Sequence, residues 1–206
     1  RRWREDDLAR ISVTGPGEPH LLEEWLEQAP AVDAWLAGLL GQKPAGLISL
    51  DEYWANLQAL TDPSLTPEVF LASREAQVKE LSGWLDGPPG AMTIEARSPA
   101  EAIDFVAAYG RDPSRADEFA ARALIVESRD AWRAVAASSD SGFLLIPHPS
   151  HQVGPEIVAE AARHGHRVLL SCSQAPREQV ATLRLPRAYR YDLEKALESS
   201  GIDREK

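Results

Sequence analysis

The segment Arg97-Ser98-Pro99-Ala100-Glu101 follows an apolar run, residues 91–96. A sheet protein that grips phosphates carries glycines and a lysine at such a turn. This turn has neither. Ser98 caps a helix, Pro99 takes its first position, and Glu101 completes a capping box. The chemistry left to the turn is modest anion binding by Arg97, Ser98 and the open N–H groups of the helix start, and a plain structural cap is preferred. His148-Pro149-Ser150-His151 places two imidazoles close together, and Cys172 ends a later apolar run. His148, His151 and Cys172 are therefore the candidates for zinc ligation. No fourth ligand is evident and the prolines extend the loop, so ordinary loop histidines are preferred and no metal is expected. Cys172 with His148 and a carboxylate would make a thiol nucleophile, but Ser171-Cys172-Ser173 lacks the glycines that surround one. Glu95-x-Arg97 and Glu127-x-Arg129 have the spacing of a nuclease Glu-x-Lys without its lysine. Arg184, Arg187, Tyr189, Arg190 and Tyr191 interleave bases with aromatics. They suit phosphate or an acidic neighbour, and we read Arg184, Arg187, Arg190 and Tyr191 as an interaction surface, with a protein contact preferred over nucleic acid.

The elements that must position these groups alternate. Strands are expected at residues 91–96, 123–127, 143–146, 167–171 and, as a fifth, 180–185, with helices between them. That order predicts an α/β domain with a parallel sheet of four to five strands flanked by helices. Its ligand edge would be the one where the strands end, gathering Glu95, Arg97, Glu127, Arg129, His148, His151 and Cys172. Residues 20–60 read as helices, with Ser49-Leu50-Asp51-Glu52 as a capping box. Four of the six tryptophans lie in residues 1–60, so a Trp-rich helical segment precedes the sheet and its aromatics anchor helix packing. A short strand is expected at residues 11–13. Thr66-Pro67 opens a short helix, a longer one runs from Ser73 to Leu85, and Gly87-Pro88-Pro89-Gly90 forces a turn. A last helix is expected from Pro186 to Ser200, stopped by Gly201.

The 206 residues carry a net charge of −10, with 44% hydrophobic content. Residues 1–90 hold 15 acids and 7 bases, an acidic balance that repels nucleic acid and anionic membranes at long range. No run of 18 apolar residues or leader-like segment is present, and the single cysteine fits a reducing compartment, so a cytoplasmic chain without membrane contact is expected. Met92 is the only methionine. The expectation is a piece of a longer polypeptide, divided into residues 1–65, 66–201 and the start of a further element at 202–206.

Leu71-Ala72-Ser73-Arg74-Glu75, followed by Val78, Leu81, Trp84 and Leu85, resembles the Gly-Arg-Glu motif and helix that precede the sheet in STAND and AAA-type P-loop NTPases. Met92-Thr93-Ile94 then stands where their first strand lies. Residues 143–146 resemble their Walker B strand, Leu169-Leu170-Ser171-Cys172-Ser173 the strand of the first sensor, and residues 183–201 the start of a helical lid. The departures are specific. Ser73 replaces the glycine, the Walker A glycines and lysine are missing, and Pro147 stands at the Walker B acid. The resemblance implies a degenerate NTPase-like module with at most Arg74 near an adenine-like pocket; Arg97 and Ser98, from the turn described above, complete the candidate cofactor-binding residues. It suggests a regulatory or scaffolding role in a larger multidomain protein, in a setting such as bacterial antiviral defence. Neither catalysis nor a cofactor is expected, and the partners would be other domains or proteins. The alternatives are a hydrolase or nucleotide-dependent enzyme using the strand-end groups, and a module contacting nucleic acid.

Overall fold

The structure is a computed structural model and describes residues 12–13, 20–21, 46–61, 65–112, 116, 119, 122–136, 142–150, 153–174 and 181–202. The chain divides into two compact units. The first comprises Arg1–Gly46 and Arg129–Ser139. Its described elements are the strands β1 (Ser12–Val13) and β2 (His20–Leu21), paired antiparallel, and a helix at Arg129–Ala136. The pairing of His20 and Leu21 as a strand corrects the helix expected from residue 20 onward. Trp3, Trp25 and Trp35, which carry most of the Trp-rich reading, lie outside the described residues.

The second unit comprises Leu47–Ser128 and Asp140–Lys206. Its elements in order are β3 (Leu47–Ser49), α1 (Leu50–Ala59), α2 (Pro67–Leu71), α3 (Glu75–Leu85), β4 (Ala91–Glu95), α4 (Pro99–Tyr109) and β5 (Ala123–Val126). After α5, the Arg129–Ala136 helix of the first unit, come β6 (Leu144–Pro147), α6 (Pro155–Arg163), β7 (Arg167–Cys172), β8 (Ala181–Arg184) and α7 (Arg190–Ser199). The fold is α/β, as its alternation predicts. The sheet has six strands, in the order β3-β5-β6-β7-β4-β8. Five are parallel, and β3 runs antiparallel to β5 at one edge, Leu47 facing Val126. The expected sheet of four or five parallel strands is thus roughly right and lacks the antiparallel edge strand β3. Leu47-Ile48-Ser49 is too brief to show a period of two, and the cap at Ser49 draws the eye to the helix that follows.

Local chemistry explains the helix starts. Ser49 Oγ accepts from the Glu52 amide and Ser98 Oγ from the Glu101 amide, each at 3.2 Å. These are the serine halves of the two capping boxes expected from the sequence, each satisfying an amide that a helix start leaves open. Helix α4 is apolar on most sides, with Ala102, Ile103, Phe105, Val106, Ala107, Ala108 and Tyr109 all buried. It packs against β4 and β7 and also against α1 and α2. Phe105, Ile94, Ile146, Leu169 and Leu183 are essentially without solvent contact. Each such large apolar side chain contributes about 1.5–3 kcal/mol relative to exposure.

The segment before α7 departs from expectation. The helix starts at Arg190, not Pro186, and Tyr189 is extended (φ −70°, ψ 141°). Contacts to the turn between α2 and α3 hold it so: Arg74 Nη2 approaches the Pro186 carbonyl at 3.4 Å, and the Tyr189 amide donates to Ser73 Oγ at 2.9 Å. Arg187 accordingly lies on an extended stretch and not in the first turn of a helix.

Candidate functional site

Strand β4 lies between β7 and β8, and its chain direction delivers the turn 96–98 to the sheet edge where the parallel strands end. The Ala96 amide still bonds the Cys172 carbonyl at 3.0 Å, so the turn begins only at Arg97. There the Glu101 side chain folds back. Its Oε2 accepts from the Arg97 amide at 3.0 Å and Arg97 Nε at 3.1 Å, and its Oε1 accepts from Arg97 Nη2 at 3.2 Å. Oε1 also accepts from Arg74 Nη2 in a short bond. Arg74 reaches this point from the turn between α2 and α3. It is 5% exposed, its Nη1 donates to the Phe70 carbonyl at 3.0 Å, and its guanidinium lies 6.0 Å from the Phe105 ring centre. A single carboxylate thus occupies the start of α4 and bridges two guanidinium groups.

Burial by itself would raise the Glu101 carboxyl, but hydrogen bonds from Arg97 and Arg74 and from the Arg97 amide outweigh it and hold the group below the usual carboxylate range. Asp104, one turn on, goes the other way. Burial raises it, with the Glu101 charge adding, against the lowering effect of the bond from Tyr53. Tyr53 Oη donates to Asp104 Oδ1 at 2.7 Å, and burial followed by that bond pushes the phenol well above its ordinary value.

Arg74, Arg97 and Ser98 therefore come together. They line one cleft of about 540 Å³ with Val69, Phe70, Glu101, Asp104, Arg187, Ala188 and Leu193. That volume is within the range of small-ligand sites. The hub role of Glu101 is the part that sequence reasoning missed. Its i,i+4 spacing from Arg97 was a usable signal, whereas Arg74 is 27 residues away.

The other candidates separate. His148 Nδ1 lies 2.7 Å from Ser150 Oγ within its own loop, and His151 lies outside the described residues. Cys172 ends β7, where burial and then the Glu95 charge raise its thiol, the wrong direction for a nucleophile. Among the described residues no three His, Cys, Asp or Glu side chains gather as metal ligands. Glu95 and Arg97 do not act as a pair: Glu95 Oε2 is 2.8 Å from Arg184 Nε on the neighbouring strand. Arg190 pairs with Glu194 at 2.8 Å. Tyr189 and Tyr191 are 72% and 74% exposed. No helix of the described residues is long and apolar enough to cross a membrane. No family model, curated protein or solved structure matches the chain.

Proposed function

We propose that this chain is a non-catalytic, degenerate NTPase-like module with a regulatory or scaffolding role in a larger protein. The observation that carries the proposal is Glu101. An internal carboxylate fills the helix start at the end of β4, where bound phosphates would need to approach backbone N–H groups. Its two oxygens engage Arg97 and Arg74, and they take up the Arg97 amide that a phosphate would otherwise use. The sheet sets the order of the strands that carry the resemblance. With the five parallel strands numbered in chain order, they lie second, third, fourth, first, fifth. The strand resembling the sensor strand thus sits between those resembling the Walker A and Walker B strands. The strand resembling Walker B ends in buried Pro147, with no acid there to hold a metal.

The test is thermal unfolding with ATP or ADP and Mg²⁺. A ligand at one hundred times its Kd would add about 2.7 kcal/mol of stability. The expected result is an unchanged midpoint at millimolar nucleotide and no phosphate release. A shifted midpoint that Arg97→Ala abolishes would overturn the proposal.

A further inference from the structure

We propose that the cleft lined by Arg74, Arg97 and Arg187 docks an acidic peptide segment of a partner protein, with one apolar side chain of that segment seated against Val69, Phe70 and Leu193. The proposal rests on the scaffolding role above and gives it a partner chemistry. Three guanidinium groups line the cleft against two carboxyls, Glu101 and Asp104. A local surplus of positive charge in a chain of net charge −10 selects an anionic partner. Glu101 is already shared by two arginines. Arg187 is exposed and makes no ion pair among the described residues. Val69, Phe70 and Leu193 supply an apolar wall that phosphate alone would not use.

The surface continues past the cleft. Tyr189 and Tyr191 follow Arg187 in the chain and are among the most exposed large hydrophobics described. Exposed tyrosine and arginine together are the residue types that concentrate binding energy in protein interfaces. The backbone beneath them is fixed in advance by the Ser73–Tyr189 and Arg74–Pro186 bonds, which lowers the ordering cost of binding. A peptide is favoured over a nucleotide because Glu101 already takes up the Arg97 amide that a phosphate would use, while Val69, Phe70 and Leu193 offer a seat to an apolar side chain. It is favoured over nucleic acid because a chain of net charge −10 repels a long polyanion far more than a short segment with few acidic side chains.

A displayed random-peptide library selected against the whole chain tests this, followed by fluorescence anisotropy of the selected peptides. The expected peptides carry Asp or Glu on either side of a single Leu, Ile or Phe. Arg187→Glu should weaken them about tenfold or more, and Arg97→Ala and Tyr189→Ala about threefold or more. All three positions are exposed, and circular dichroism of each variant confirms its fold. Selected peptides without acidic enrichment, affinities that Arg187→Glu leaves within about twofold, or no selected peptide would overturn the proposal. So would an oligothymidylate that binds where no peptide does. ATP with Mg²⁺ taking the cleft would overturn both this docking and the degenerate-module reading. A failed selection without nucleotide binding would overturn the docking alone.

Discussion

Glu101 and Asp104 sit one helical turn apart on α4 and are pushed in opposite directions, so acid should act on them with opposite signs. The folded state holds Glu101 below its unfolded value of about 4.3. Its stabilising contribution is therefore present above that value and is lost as pH falls through the lower folded one. Asp104 is raised, so its contribution is complete below about 3.9 and is lost as pH rises through the higher folded value. Carboxyl ¹³C NMR should find Asp104 titrating above and Glu101 below the ordinary value of its own residue type, and a shift of opposite sign at either would refute the described geometry. Asp104→Asn keeps an acceptor for Tyr53 and removes the charge, so its stability relative to wild type should improve between about pH 3.5 and pH 7. Glu101→Gln removes a charge shared by Arg74 and Arg97, and should cost about 1–3 kcal/mol in urea unfolding at neutral pH. At this scale the sequence disclosed what was local. The Ser98 cap and the four-residue spacing of Arg97 and Glu101 could be read directly. The second arginine on Glu101 could not, because the fold alone brings Arg74 to it.

Between elements, the turn from α2 to α3 does the most with the fewest atoms. Ser73 has φ +62°, a left-handed conformation that favours glycine. Its hydroxyl offsets the strain twice, accepting from the Tyr189 amide at 2.9 Å and donating to Asp192 Oδ2 at 2.6 Å. Ser73→Ala loses both bonds and keeps the strain, so it should destabilise by about 1–3 kcal/mol. Ser73→Gly loses the bonds but relieves about 1 kcal/mol of strain, so it should cost measurably less. If the alanine variant is the more stable of the two in urea, the strain argument fails. A second constraint lies at Gly110, where a methyl group would come within 2.8 Å of the Phe119 ring. Gly110→Ala should cost about 1–3 kcal/mol in the same assay. The helices flanking these turns were legible because Pro67, Ser98-Pro99 and Gly201 are local signals. Ser73 was not, since serine gives no sign of a positive φ. The edge strand β3 was hidden too, because its pairing of Leu47 with Val126 spans far more chain than any periodicity.

At the scale of the sheet, β4 has neighbours on both sides, while β3 and β8 close the edges. Amide hydrogen exchange should be slowest in β4 and β7 and faster in β3 and β8. Rapid exchange at Ile94 would argue against the strand order. The alternation of strands and helices was enough to read the class from the chain. It could not give the order, which depends on which helix covers which face. That order matters during synthesis. The parallel strand made first is the one enclosed by the two made last, so residues 91–95 leave the ribosome with apolar Met92 and Ile94 and no hydrogen-bonding neighbour. They must wait until Arg167–Cys172 and Ala181–Arg184 have emerged. Chains stalled before residue 167 should therefore be sticky and bound by chaperones, whereas emergence of Ala181–Arg184 lets the sheet close from its centre.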